Sequence, residues 1–167
     1  MRLFSRRKLG REEVQTFYQE HGSALLLYAC SLLGRKHAAE DVLHQVFMKL
    51  LEQNTMPEEP RPYLFRAVRN AALNVMRQES KDVDVTDIEP WFEAPPQDHA
   101  ANVTLKSELM QICVEQRQVL VMHIWGGLSF EEIGRVLDIP ANTSASRYRY
   151  AIQRLRDRMQ PQDPLCR

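Results

Sequence analysis

The sequence predicts an all-α protein built from two small helical domains and an acidic, flexible linker. Apolar residues recur at helical spacing through residues 11–79 and again through residues 103–160. Between these stretches, residues 80–102 are rich in Asp, Glu and Pro and show no helical period. No segment has the alternating pattern of a β-strand. We therefore expect one domain over 11–79, a linker over 80–102 and a second domain over 103–160.

The first domain is predicted to contain four helices. Two of them cover about residues 11–21 and 23–33, and a third covers about residues 37–53. Residues 54–62 include three prolines and are expected to form a loop. A fourth helix follows over about residues 63–78.

The third predicted helix has an apolar face and a polar face. The apolar face predicts core residues: Val42, Leu43, Val46, Phe47, Leu50 and Leu51. Asp41, Gln45, Met48 and Glu52 follow one another at spacings of four, three and four, so they share another face. A polar stripe with one methionine suits contact with a partner helix, and a plain solvent-exposed face is the alternative.

The fourth predicted helix is rich in arginine and asparagine. Tyr63 and Phe65 lie at its start, next to the proline-rich loop. Four donors follow on its polar side: Arg66, Arg69, Asn70 and Arg77. Aromatic rings stack on unpaired bases while Arg and Asn bind phosphates and base edges, so the pattern suits single-stranded DNA. An amphipathic helix with solvated arginines and two core aromatics is the alternative.

Charge is unevenly distributed along a chain whose formal net charge is zero. Residues 81–110 carry two basic and seven acidic residues, whereas the segments on either side are mildly basic. Because non-specific DNA affinity comes mainly from neutralised phosphates, we expect the free protein to bind DNA weakly and to need delivery by another factor. Trp91 and Phe92, within the linker, suggest a docking point.

The second domain is predicted to end in a helix-turn-helix, preceded by helices over about residues 105–114 and 115–125. Ser129 and Glu132 form a capping box at the start of the first of its two helices, and Pro140 suits the first turn of the next. The last helix, over about residues 143–158, carries five arginines against one acid. Donors suited to the DNA major groove lie in its early turns: Asn142, Thr143, Ser146, Arg147 and Arg149. A helical hairpin with an arginine-rich solvated face is the alternative.

Enzymatic chemistry, cofactors and metals are not predicted. The three cysteines are widely spaced and lack metal-ligand spacing, and no nucleophile–base pair can be assembled. No apolar run reaches membrane-spanning length and no signal core is present, so we expect a reduced, cytoplasmic protein without membrane insertion.

Three segments, taken in order, resemble the extracytoplasmic-function (ECF) sigma factors of bacterial RNA polymerase. Residues 39–51 resemble region 2.2 of that family, residues 61–78 resemble regions 2.3 and 2.4, and residues 115–156 resemble region 4. The resemblance spans about residues 17–159. It implies a transcription initiation factor that binds core polymerase, recognises the −10 and −35 promoter elements and helps to open DNA.

The same resemblance implies roles for the residues singled out above. The β′ clamp helices of the polymerase would contact Asp41, Gln45 and Met48. Residues 53–61 would capture a flipped base, and the separated −10 strand would be held by Tyr63, Arg66, Arg69, Asn70 and Arg77. The −35 element would be read by Asn142, Thr143, Ser146, Arg147 and Arg149. The β flap of the polymerase is a further implied contact, and the linker would pass through the RNA exit region of the polymerase. The resemblance leaves open whether an anti-sigma factor binds this chain.

The chain departs from the family pattern at four positions. Tyr63 replaces the usual Trp, and Asn74 replaces a common Asp. Ser144 stands where an apolar residue normally packs inward, and Ala145 stands where a polar residue is frequent. These departures leave the strength and preference of the −35 contacts open. Two alternatives follow, namely a stand-alone helix-turn-helix regulator and a sigma-like decoy that binds polymerase without initiating.

Overall fold

The computed structural model describes residues 9–53, 55, 57–79, 105 and 107–159. These residues contain α-helices and no β-strand, which confirms the all-α prediction. The helices are α1 (Arg11–Leu33), α2 (Lys36–Gln53), α3 (Pro60–Glu79), α4 (Val114–Ile124), α5 (Phe130–Leu137) and α6 (Ala141–Met159), with a helical stretch at residues 107–110 before α4. The predicted linker, with Trp91 and Phe92, lies outside the described residues.

Helix α1 is continuous, so the prediction of two helices over residues 11–21 and 23–33 was wrong. Gly22, which lies between the two predicted ranges, is buried inside the helix, and a Cβ placed there would lie 3.7 Å from the ring of Tyr18. A mid-helix glycine weakens a helix by only about 1 kcal/mol relative to alanine, which tertiary packing can offset. The helix ends at Gly34, whose φ of 71° suits glycine and whose N–H donates to the Cys30 carbonyl at 2.8 Å.

Helices α2 and α3 complete the first domain, and the loop between them is shorter than predicted. α3 begins at Pro60 rather than near residue 63. Pro60 and Pro62 both fit because the N–H groups of a helix's first turn have no partner within the helix. The predicted core of α2 is confirmed for five residues, while Leu51 is half-buried: the buried set is Val42, Leu43, Val46, Phe47 and Leu50.

Helices α5 and α6 form the predicted helix-turn-helix. The capping box is confirmed, because Ser129 Oγ accepts from the Glu132 N–H at 3.2 Å and Glu132 Oε2 accepts from the Ser129 N–H at 2.7 Å. α5 ends at Asp138 in the left-handed conformation, with φ 55°. The turn is tight at Gly134, where a Cβ would lie 2.6 Å from the Ile139 carbonyl oxygen. α6 then starts at Ala141, two residues earlier than predicted.

One apolar core joins the two predicted domains. It includes Leu25 and Tyr28 of α1, Phe65 of α3, Met122 of α4 and Ile133 of α5, all fully buried. A smaller cluster lies under α6 and comprises Leu109, Ile112, Leu120, Ala151 and Leu155. The second domain therefore packs directly against the first, with α4 on α1 and α5 on α3, and this contact determines the surroundings of the candidate DNA-binding residues.

Candidate nucleic-acid and polymerase interfaces

The candidate −35 residues lie on the accessible side of α6. Asn142 and Arg149 are exposed, and Thr143, Ser146 and Arg147 are half-exposed. Ser146 Oγ donates to the Asn142 carbonyl at 2.9 Å, and Arg149 Nη2 lies 3.3 Å from Ser146 Oγ. The structure therefore brings all five together over the first turns of one helix, the end that a helix-turn-helix inserts into the major groove.

An aromatic cluster fixes α6 against the rest of the helix-turn-helix. The ring of His123 stacks on Phe130 with centroids 4.5 Å apart, and Tyr148 meets His123 edge-on at 4.8 Å. His123 Nδ1 donates to the Leu128 carbonyl at 2.8 Å, which orients the ring. His123 is thus a packing residue, and the cluster joins α4, α5 and α6 so that α6 is presented as part of a rigid unit.

Ser144 occupies an inward position on α6, as its place in the family pattern implied. It is fully buried, and its Oγ has no hydrogen-bond partner among the described residues. A buried hydroxyl without a partner destabilises a fold because its hydration is lost without replacement. Ser144 therefore cannot contact DNA directly, whereas the neighbouring Ala145 is half-exposed.

The candidate −10 residues follow α3, and their accessibility differs. Arg66, Asn70 and Arg77 are exposed. Tyr63 is half-buried, and its hydroxyl donates to Gln53 Oε1 at 2.7 Å. Arg69 is half-buried, and its Nε is buried without a partner among the described residues. The hydrogen bond between Tyr63 and Gln53 therefore ties the start of the predicted base-capture loop to the start of α3.

A cleft of about 290 Å³ lies beside Tyr63 and Arg66. One wall comes from the loop before α3 and from α3 itself, and the opposite wall comes from α5. The lining residues are Pro57, Glu58, Glu59, Pro62, Tyr63, Arg66, Arg135 and Val136. The site that the sequence assigned to the first domain is therefore built by both domains.

Polar contacts close this junction at three places, which we call the polar seal. Arg135 binds both carboxylate oxygens of Glu59, with Nη2 donating to Oε1 at 3.0 Å, and this hydrogen bond raises the pKa of Arg135 above its usual value. Arg66 Nη2 donates to the Arg135 carbonyl and lies 3.4 Å from Asp138 Oδ1. The third contact runs from Arg61 Nη1 to the Gly127 carbonyl at 3.0 Å.

The residues of the polar seal on α5 were missed by sequence reasoning. Glu59 and Arg135 are 76 positions apart, and Arg66 and Asp138 are 72 apart. Helical periodicity reports contacts three or four residues apart, so it gives no signal for such pairs. Only the domain packing reveals them.

The candidate polymerase stripe on α2 is solvent-exposed. Asp41, Gln45 and Glu52 are exposed, and Met48 retains 44% of its surface. A shallow groove runs beside the stripe and is lined by Leu9, Arg11, Met48, Leu51 and Glu52. An exposed methionine with polar neighbours at helical spacing gives a face that another helix can pack against.

Two further features concern the part of the chain that the structure describes. Within residues 9–53, 57–79 and 107–159, no three His, Cys, Asp or Glu side chains are grouped so as to hold a metal ion. Among the same residues, every helix is too short or too polar to cross a membrane.

Two family models match the chain, one in each half. Residues 17–82 match the model for Sigma-70 region 2, and residues 114–157 match the model for Sigma-70, region 4. The first match contains α2 and α3, and the second contains α4, α5 and all of α6 except its last two residues. The two matches therefore define a protein of the sigma-70 class.

Similarity to individual proteins narrows the class. The ECF RNA polymerase sigma factor SigM of Bacillus subtilis is 25% identical over 154 residues, covering 87% of this chain and 92% of SigM. The ECF RNA polymerase sigma factor SigL of Mycobacterium tuberculosis H37Rv is 28% identical over 153 residues, covering 86% of each chain. This chain belongs to the ECF sigma factors, and it is a transcription initiation factor without enzymatic activity of its own.

Solved structures share the fold. The sigma factor RpoE of Bartonella quintana, bound to the anti-sigma factor NepR, has a TM-score of 0.63 at 22% identity and covers 88% of this chain and 99% of its own. CnrH, bound to the cytosolic domain of CnrY, also has a TM-score of 0.63 at 22% identity, covering 89% of this chain and 88% of its own. At this identity the likeness concerns the fold.

Proposed function

We propose that this cytoplasmic protein binds core RNA polymerase through α2, reads the −35 element through α6, and captures and separates the −10 element through α3. The observation that carries the proposal is the presence of two DNA-suited surfaces, on α3 and α6, in one chain that matches both sigma regions. The test is a titration of promoter duplex with the protein alone and with core polymerase added. We expect specific binding only with polymerase.

Readout of the −35 element is assigned to the start of α6. Arg147 is half-exposed there and can form paired hydrogen bonds with a guanine edge. Arg147→Ala should weaken holoenzyme binding to the native −35 element by about 1–3 kcal/mol and reduce discrimination against a mutated element. Arg156→Ala is the matched control, because Arg156 is exposed near the other end of the same helix. Unchanged selectivity in Arg147→Ala would remove this residue from the readout.

Capture of the −10 strand is assigned to the exposed side of α3. Flipping a base from the duplex costs a few kcal/mol, so a protein pocket and polymerase binding must both contribute. Asn70→Ala should reduce strand opening, measured by permanganate reactivity of thymines, more than it reduces polymerase affinity. Gln78→Ala, exposed at the end of the same helix, is the control. Equal loss of opening and polymerase affinity would indicate a folding role for Asn70 instead.

Polymerase binding is assigned to the stripe formed by Asp41, Gln45 and Met48. Truncation of Met48 to Ala removes the largest apolar group of the stripe and should lower affinity for core polymerase in a direct binding assay. Lys49→Ala, exposed next to the stripe, should change affinity much less. If both variants bind polymerase as tightly as the native chain does, this face is not the interface.

Two other functions give different outcomes in the same assays. A stand-alone helix-turn-helix regulator would bind its duplex tightly without polymerase, although it leaves the Asn70 surface without a role. A sigma-like decoy would bind polymerase and yield no transcripts. Because RpoE of Bartonella quintana was crystallised with the anti-sigma factor NepR, we also propose that an anti-sigma factor binds this chain, which affinity capture from the native host would test.

A further inference from the structure

We propose that Cys113 and Cys166 form a site of reversible oxidation, at which hydrogen peroxide converts the two thiols into a disulfide within one chain. The disulfide would join the segment after α6 to the start of α4 and so cross-link the second domain. This inference goes beyond the proposed function and does not depend on it. It assigns a role to two thiols that contact neither DNA nor polymerase in that function.

Cys113 is placed where a small oxidant can reach its sulfur. It is exposed, it is the N-cap residue of α4, and its side chain accepts no capping hydrogen bond. The other cysteine among the described residues, Cys30, is only 1% exposed in the core beneath α1. Because oxidation requires access to the sulfur, Cys113 is the reactive thiol of these two.

Arg117 lies one helical turn after Cys113 and provides a positive charge beside it. Arg117 is only 8% exposed, its Nε has no hydrogen-bond partner among the described residues, and its Nη1 lies 2.9 Å from Met110 Sδ. Burial lowers the pKa of Arg117, and its interactions with Cys113 and Glu115 oppose this effect. The thiolate is the form that attacks a peroxide, and a nearby guanidinium attracts its negative charge.

The end of α6 lies beside the segment that carries Cys113. Arg158 Nε donates to Glu108 Oε2, which ties the last turn of α6 to the helical stretch before α4. Leu155, one turn earlier in α6, belongs to the same buried cluster as Ile112, the residue directly before Cys113. The end of α6 and Cys113 therefore lie at the same end of the second domain.

The chain between α6 and Cys166 is long enough to reach Cys113. Cys166 lies outside the described residues, seven positions after Met159, and seven residues span at most about 25 Å. Met159 lies only about 6 Å along the helix axis from Leu155, whose cluster contains the neighbour of Cys113. A tether this short keeps the two thiols at an effective concentration of the order of 1 mM.

The reaction consumes one hydrogen peroxide and two thiols. The Cys113 thiolate attacks one peroxide oxygen, the O–O bond breaks, and Cys113 becomes a sulfenic acid while the other oxygen leaves as hydroxide and takes up a proton to form water. The Cys166 thiolate then attacks the Cys113 sulfur, an S–S bond forms, and the S–O bond breaks with release of a second water. Each thiol loses one electron, and the peroxide gains both.

The cross-link would act on the stability of the second domain. It joins positions 53 apart, and a cross-link of that span stabilises a fold mainly by restricting the unfolded chain. It closes at the end of α6 opposite to Asn142, about 26 Å away along the helix, so it leaves the −35 face unchanged. In the reducing compartment proposed for this protein, such a bond is characteristic of redox sensing.

The first test counts thiols. The reduced full-length chain is treated with hydrogen peroxide at about 10 μM protein, where bonds between chains form about 100-fold more slowly than a bond at millimolar effective concentration. After denaturation, a colorimetric thiol reagent should find one thiol instead of three, and the product should remain monomeric on a non-reducing gel. Peptide mass spectrometry should find Cys113 joined to Cys166, and dithiothreitol should restore all three thiols.

Three single variants are the controls. Cys166→Ser leaves Cys113 without a resolving thiol, so Cys113 should proceed to the sulfinic acid or link two chains. Cys113→Ser should keep its two thiols for the time in which half of the native chain is oxidised. Cys30→Ala should form the same internal disulfide as the native chain, because Cys30 is buried.

Thermal denaturation gives a second readout. The oxidised native chain should have a Tm about 4–8 °C above that of the reduced chain, whereas peroxide should not raise the Tm of Cys166→Ser. Three remaining thiols after peroxide treatment, a disulfide that includes Cys30, or linked dimers as the main product of the native chain would overturn the inference. An internal disulfide without any rise in Tm would overturn its stabilising role.

Discussion

Replacement of Tyr28 by Phe tests the packing of the two domains at a single atom. Tyr28 is fully buried in α1, and its hydroxyl donates to Gln118 Oε1 in α4 at 2.8 Å, 90 positions away in sequence. Burial raises the pKa of Tyr28 well above its usual value, and the nearby Arg69 opposes this only in part, so the hydroxyl stays protonated. The phenol therefore remains a donor across the range in which the protein is studied.

The expected magnitude follows from the acceptor that is left behind. Gln118 is 9% exposed, so Tyr28→Phe leaves its Oε1 poorly hydrated and without its donor. Loss of one partner of a buried hydrogen bond lowers the free energy of unfolding by about 1–3 kcal/mol. In a chain of this size, that loss lowers Tm by about 3–9 °C.

Urea and thermal denaturation of four variants measure this loss of stability. Tyr28→Phe combined with Gln118→Leu removes both polar groups, so the double variant should lose less stability than the sum of the two single variants. Tyr18→Phe is the control, because Tyr18 is 53% exposed and its ring contact with Phe47 is kept. A Tyr28→Phe variant as stable as the native chain, or losses that simply add, would refute the bond and the packing built around it.

Further predictions concern single groups. Ser144→Ala should raise the free energy of unfolding by about 1 kcal/mol in urea titrations, because it removes a buried hydroxyl that has no partner. Ser129→Ala should lower it by about 1 kcal/mol in the same titrations, through loss of the α5 cap. At Asp138, Gly should preserve thermal stability, whereas Ala should lower it by about 1 kcal/mol because of the positive φ. Burial, with Arg61 nearby, lowers the pKa of His21, so stability should fall as pH drops below 6.5, and less so in His21→Gln. Equal pH profiles would contradict that assignment.

The local features of the fold could be predicted because short-range rules determine them. The capping box at Ser129, the core face of α2 and the Arg-rich helix α6 all follow from spacings of three or four residues. The continuity of α1 through Gly22 was not predicted, for the opposite reason. Whether this glycine interrupts the helix depends on the tertiary packing around α1, and intrinsic helix propensities do not take that packing into account.

The packing of one domain on the other could not be predicted. In the sequence, Arg66 and Arg135 look like ordinary solvated surface residues. Each has a partner only because α5 lies across the start of α3. The inward position of Ser144 came from the family pattern, whereas its lack of a partner required the structure. Exposure of the α2 stripe was expected, and its role as a polymerase contact remains a prediction.

Transcription in a reconstituted system tests the central claim most directly. The purified chain would be added to bacterial core RNA polymerase with fragmented genomic DNA from its host, and transcript start sites would be mapped. We predict discrete start sites that share two upstream elements and that vanish when the chain is omitted. Polymerase binding without any new start site, or promoter binding by the chain alone, would contradict the account.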